Sequence, residues 1–207
     1  ISMKLPAAEK AKMVAGAIVS PQQIQPSSPS PDDFEAFWKQ KVAAVEAVAL
    51  NAQVDRGEEK APGVEYYKVR LDNINGTHVH GQLAKPAKPG KFPALLVFQA
   101  AGVAALPTSQ VLPHATNGYL AFNIMAHDLP IDEKPEFYKK AQETTHKSYT
   151  AIGNSDREKS YFLRMYLGCY QAARYLTTRD DWDGKTLIVM GASQGGMQAL
   201  ATAGLHP

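Results

Sequence analysis

Ser193 stands in Gly191-Ala192-Ser193-Gln194-Gly195-Gly196, a G-x-S-x-G pattern between the apolar run 186–190 and the helix-forming Met197-Gln198-Ala199-Leu200-Ala201. A serine hydroxyl is a poor nucleophile until a base takes its proton and hydrogen-bond donors hold the oxyanion that forms. A sharp strand-to-helix turn meets part of that need, because it exposes the hydroxyl and aims helix N-terminal amides at the reacting carbonyl. With 15 glycines in 207 residues, chance supplies roughly 0.05 such patterns per chain, so the pattern is read as a nucleophile elbow. A glycine-rich turn without chemistry is the plain alternative.

An elbow needs a second oxyanion donor from the loop after an earlier strand. The run 93–98 is followed by Gln99-Ala100-Ala101-Gly102, so the N–H of Ala101 is the candidate beside that of Gln194, with an ordinary small-residue turn as the alternative. The base and its orienting acid are harder to place. In this kind of site they follow the nucleophile on loops after further strands, yet only 14 residues follow Ser193; they hold no Asp or Glu, and His206 comes too soon to fold back. Both partners are therefore expected beyond residue 207. His127-Asp128 follows a strand-like run, but adjacent side chains diverge, and a loop-structuring role suits His127 better than catalysis. His78 and His80 share one strand face and could hold a metal, but no third ligand is evident in the sequence, so an exposed sheet face is expected. His114 and His146 have no nameable partner. The single cysteine, Cys169, can form neither an intrachain disulfide nor a thiolate zinc site by itself.

The elements that must position these residues follow from spacing. Ser30-Pro31-Asp32-Asp33 reads as a helix start, with Ser30 as cap and Pro31 in the first helical position, and Phe34, Phe37, Trp38, Val42 and Val45 form its apolar face. The alternating segments 64–71 and 77–83 flank Asn75-Gly76 and predict a β-hairpin. The runs 93–98, 119–124 and 186–190 are apolar without alternation, as in parallel strands buried on both faces. Ser155-Asp156-Arg157-Glu158 has the form of a capping box, before a helix with a buried stripe of Phe162, Met165, Tyr166, Cys169, Ala173 and Leu176. A hairpin followed by strands alternating with helices predicts an α/β fold with a mainly parallel sheet flanked by helices. Residues 1–29, rich in proline and serine, read as an extended N-terminal arm, and 30–207 as the N-terminal portion of one domain.

Hydrophobic residues at 44% and charged residues at 20% exclude a disordered or collagen-like chain, and 22 Lys+Arg against 20 Asp+Glu without long blocks disfavours nucleic acid as a partner. No run approaches the ~20 apolar residues of a membrane-spanning helix, so no membrane partner is expected. The first residue is Ile1 rather than Met, so a targeting segment could have been removed. The compartment stays open, a secreted or periplasmic one being favoured.

Taken together these motifs resemble a family. Ser30-Pro31-Asp32-Asp33-Phe34-Glu35-Ala36-Phe37-Trp38 resembles the P-x-D-F-x-x-F-W helix of acetyl xylan esterases and cephalosporin C deacetylases, the carbohydrate esterases of family seven. Gly191-Ala192-Ser193-Gln194-Gly195-Gly196 is similar to their G-G-S-Q-G-G elbow, and Asp181-Trp182-Asp183-Gly184-Lys185 resembles the segment before it. The likeness covers about residues 30–207, the first part of a family member. Ala192 replaces a glycine, Gln99-Ala100-Ala101 stands where the family has His-Gly-Tyr, and Ala126-His127-Asp128 replaces Arg-Gly-Gln. The resemblance implies an α/β-hydrolase fold and a serine esterase that deacetylates saccharides such as xylan fragments. It further implies no cofactor or metal, an oligomer as an option, and a C-terminal remainder carrying the rest of the triad. A serine peptidase of the same fold, or a non-catalytic truncated hydrolase, is the alternative.

Overall fold

The computed structural model describes residues 16–25, 28–58 and 60–206. The chain divides into two units, Ile1–Phe34 and Glu35–Pro207. Most of the expected arm over 1–29 lies outside the described residues; within it Pro21–Gln23 form one 3-10 turn.

In the larger unit the hairpin comes first. Strands β2 (Val64–Asp72) and β3 (His78–Pro86) pair antiparallel from Val64↔Pro86 to Asp72↔His78. Between them Asn75 at φ 56 and Gly76 at φ +69 take up the left-handed geometry that the dipeptide tolerates. A short strand β1 (Gln53–Arg56) adds antiparallel to β2; all four residues are exposed, so no apolar alternation marks them in the sequence. The three apolar runs become β4 (Phe92–Phe98), β5 (Leu120–Ile124) and β6 (Trp182–Gly191), with β4 parallel to both β5 and β6. The sheet is mixed, in the order β1-β2-β3-β5-β4-β6, because β3 joins β5 antiparallel and brings the hairpin onto the parallel part.

Helix α4 (Tyr161–Thr177) covers one sheet face, where Cys169, Ala172, Ala173 and Leu176 pack on Val69, Leu71, Leu83, Leu96 and Phe122. The other face takes α2 (Leu112–Thr116), which packs with Val111 and Ala115 against Val64, Tyr66 and Ala121. Two further helices are α1 (Phe34–Glu46) and α3 (Pro135–Glu143). Beyond its sheet-facing stripe α4 also buries Leu163, Leu167 and Tyr170 against Val45 of α1. Its buried surface is thus wider than the expected stripe, and Phe162 and Tyr166 stay only half-buried.

Three local expectations are corrected. Helix α1 begins at Phe34, not near Ser30, because the Phe34 N–H already closes a tight turn onto the Pro31 carbonyl at 3.0 Å. The capping box does not form: the Glu158 N–H donates to Asp156 Oδ1 at 2.9 Å, the Glu158 carboxylate takes a bond from Lys41 at 2.5 Å, and α4 starts three residues later with no side-chain cap. Asp156 competes successfully for the donor that Ser155 would have used. Strand β6 is not buried on both faces. Leu187 and Val189 pack on the core, whereas Ile188 and Met190 are 40% and 42% exposed, since no described strand pairs with its outer edge.

Candidate active site

Strand β6 ends at Gly191 and helix α5 (Gln194–Leu205) starts three residues later, so the chain must reverse within Ala192 and Ser193. Ser193 sits at φ 54, ψ −122, a conformation that strains a residue with a side chain by about 1–3 kcal/mol. Tight packing enforces it. A Cβ on Gly191 would lie 2.4 Å from the Gly195 carbonyl carbon, and a Cβ on Gly195 would lie 2.7 Å from the Phe98 carbonyl oxygen. The spacing of both glycines thus follows from one requirement: the elbow folds onto itself and against the end of β4. The Gly195 N–H closes the turn onto the Ala192 carbonyl at 2.9 Å, and Ser193 is left exposed at the C-terminal edge of the parallel strands.

Gln194, the first residue of α5, is buried. Its Oε1 accepts a 2.6 Å bond from the Tyr149 hydroxyl, while its Nε2 is buried without a partner. Gln198, one turn on and fully buried, donates to the Gln99 carbonyl at 2.9 Å and ties α5 to the exit of β4. Gln99 in turn bridges its own loop and the next, donating to the Ala104 carbonyl at 2.9 Å and accepting from the Ala126 N–H at 3.2 Å. Ala101 is exposed in this braced loop. Beside it Gly102 is held at both backbone groups: its N–H donates to the Tyr149 hydroxyl at 3.3 Å and its carbonyl accepts from His127 Nε2 at 3.0 Å.

His127 is therefore a structural residue. It is fully buried, with Nδ1 2.7 Å from the Tyr161 hydroxyl and Nε2 on the Gly102 carbonyl, so Nε2 carries the proton and Nδ1 accepts. Burial lowers its pKa to about 4 and keeps it neutral. Among the described residues no histidine hydrogen-bonds Ser193. His206 follows the far end of α5, about 18 Å along a helix of this length, and rests against the Tyr170 ring. His146 packs on His127 at 5.0 Å between ring centres, and His114 lies in α2. Burial pushes the Cys169 thiol well above its ordinary pKa, so it is an inert core group.

A cavity of about 390 Å³ opens beside the elbow, lined by Gln99, Leu106, Gln110, Asn123, Met190 and Ala192 among others. Its volume falls in the range of small-molecule sites. Asn123 is fixed there by donating to the Val97 carbonyl at 3.0 Å and accepting from Gln82 at 3.0 Å, and Gln82 accepts from Tyr66 at 3.0 Å. Residue spacing gave no sign of this polar ladder or of Tyr149 and Tyr161, whose partners lie far away in sequence. Gln194, Gln198 and Thr202, one turn apart along α5, are the one legible trace of a buried polar row.

A mixed sheet covered by helices, with a strained serine between a parallel strand and a helix, defines the α/β-hydrolase class. Solved structures that share the fold include two acetyl xylan esterases. An acetyl xylan esterase from Paenibacillus sp. R4 superposes with a TM-score of 0.74 at 26% identity, covering 89% of this chain and 59% of that one. Acetyl xylan esterase 1 from Thermoanaerobacterium sp. JW/SL YS485 gives 0.72 at 20% identity, covering 86% and 56%. The acetyl esterase Axe7A of Xylanibacter ruminicola is 30% identical over 193 residues, 91% of this chain and 44% of that protein. The sequence profile of the acetyl xylan esterase (AXE1) family matches residues 18–207, and the chain belongs to that family. It spans about half the length of these relatives.

Proposed function

We propose that the protein is a serine carboxylesterase that removes acetyl groups from acetylated saccharides such as xylan fragments. The observation that carries this reading is the strained, exposed Ser193 elbow in a chain of the acetyl xylan esterase family. Ser193 Oγ attacks the acetyl carbonyl carbon while a base takes the hydroxyl proton. The carbonyl electrons move onto oxygen, and the N–H groups of Gln194 and Ala101 donate hydrogen bonds to the oxyanion so formed. Collapse expels the sugar oxygen, which takes the Ser193 proton from the base and leaves as the free hydroxyl, and acetyl-Ser193 remains. Water then attacks the acyl carbon, and acetate departs as Ser193 recovers its proton.

The histidine and the acid of this cycle belong to chain beyond residue 207 in the reading proposed. The open edge of β6, which carries half-exposed Ile188 and Met190, and the surface of α5 that leaves Met197 and Leu200 at 47% and 78% exposure are where further strands and their helices would add.

Acetate release from acetylated xylo-oligosaccharides by the full protein tests the reading, with peptide mapping after a fluorophosphonate probe. Activity and an adduct on Ser193 are expected, both abolished in Ser193→Ala. Turnover that survives in Ser193→Ala removes the serine mechanism. A Ser193 adduct with amide hydrolysis but no acetate release transfers the chain to the peptidases.

A further inference from the structure

The loop after β5 brings a carboxylate to the two histidines of β3. His78, His80 and Asp128 place one ligand atom each within 4.8 Å of one another, the one such group among the described residues. Asp128 Oδ1 is 3.5 Å from His78 Nδ1 and 3.0 Å from His80 Nε2. Tetrahedral zinc with bonds of about 2.0–2.1 Å has ligand-to-ligand edges of about 3.3 Å, so the two distances bracket what such an ion requires. The second carboxylate oxygen is already engaged, accepting the His78 N–H at 3.1 Å, which orients Oδ1 toward the two rings.

We propose that His78 Nδ1, His80 Nε2 and Asp128 Oδ1 bind one divalent ion of the zinc class, with water as the fourth ligand. All three side chains are partly exposed, at 27%, 21% and 32%, which leaves a path for the ion and its water. His78 must change tautomer to serve. Its Nε2 accepts from Arg70 Nη2 at 2.5 Å, so the proton sits on Nδ1. Metal binding displaces that proton, and Nε2–H then turns to the Asp72 carboxylate, 3.8 Å away. Arg70 opposes this exchange and sets the affinity below that of a site without it.

The ion would be a structural staple. In the strand order β3-β5-β4-β6, neighbours lie about 4.8 Å apart, which puts β3 about 14 Å from the elbow strand, beyond reach of a carbonyl on Ser193. It would instead fasten the turn in which His127, the residue before Asp128, holds Gly102.

Calorimetric titration of the chelator-stripped full protein with Zn²⁺ is the test, with Co²⁺ as a spectroscopic stand-in. One equivalent is expected, bound roughly tenfold or more weakly in His80→Ala and in Asp128→Asn. Arg70→Gln should bind several-fold more tightly; equal or weaker binding overturns the tautomer exchange and with it His78 as a ligand. The wild-type protein alone supplies a second readout, in which Co²⁺ must shift the imidazole resonances of His78 and His80. Absence of saturable Zn²⁺ uptake, uptake undiminished in both ligand variants, or Co²⁺ shifts confined to His114, His146 or His206 overturns the proposal.

Discussion

Gly195 and Gly196 are neighbours on the same helix, and the same substitution should have opposite consequences at the two. An alanine Cβ at Gly195 would stand 2.7 Å from the Phe98 carbonyl oxygen and 3.2 Å from that of Gln99. Both are backbone atoms at the end of a central strand, and Phe98 is itself paired with Ile124 and Gly191. Relief therefore requires α5 to move as a body, which also strains the Gln198 bond to the Gln99 carbonyl. Overpacking of this kind costs about 1–3 kcal/mol, and the rigid neighbours put Gly195→Ala at the upper end, about 3 kcal/mol. At Gly196 the nearest atom to a new Cβ is the Gly191 carbonyl oxygen at 3.5 Å, an ordinary contact. There the helix preference for alanine over glycine, about 1 kcal/mol, is free to act. The two variants should differ by about 4 kcal/mol, a sum of these terms. Urea unfolding of both proteins measures the difference, with unchanged m-values as the check that the transition is the same. A difference below about 1 kcal/mol would refute the claim that close packing against β4, rather than turn conformation alone, dictates glycine at position 195.

Two further substitutions probe the supports around the elbow and the strand that carries it. Tyr149→Phe removes the donor to Gln194 and the acceptor of the Gly102 N–H; a loss of about 1–3 kcal/mol is expected in the same assay, and a change under about 0.5 kcal/mol would show that neither bond matters. Asp181 is partly buried, which raises its pKa, but paired 2.7 Å bonds from Arg179 and an ion pair with Lys85 outweigh that and hold the carboxyl below its usual value. A lowered carboxyl pKa adds stability that is present above the unfolded value of about 3.9 and disappears as pH falls through the folded value. Asp181→Asn should therefore be less stable at pH 7 and show a flatter acid limb; parallel stability curves for the two proteins between pH 5 and pH 2 would contradict this.

Much of this molecule is legible one segment at a time, because the forces involved are local. The hairpin follows from alternation around Asn75-Gly76, whose positive φ angles need no distant partner. The parallel strands follow from apolar runs, and the elbow from two glycines that a reversing chain demands. Chain-local signals failed where a group had a competitor that spacing does not reveal. Ser155 lost the Glu158 N–H to Asp156, and β6 is half-exposed because burial depends on a neighbour across the sheet.

The supports of the site were decided by tertiary structure alone. Tyr149 reaches Gln194 across 45 residues of sequence, and Tyr161 reaches His127 across 34. Asp128 meets His80 across 48, although the histidine pair on one strand face was plain from its spacing. Sequence determines which residue types a strand or a helix turn offers on one face, since backbone periodicity is local. Which distant side chain completes a hydrogen bond or a ligand set depends on how sheet register brings two loops to the same edge, and that register is settled only when the strands pair.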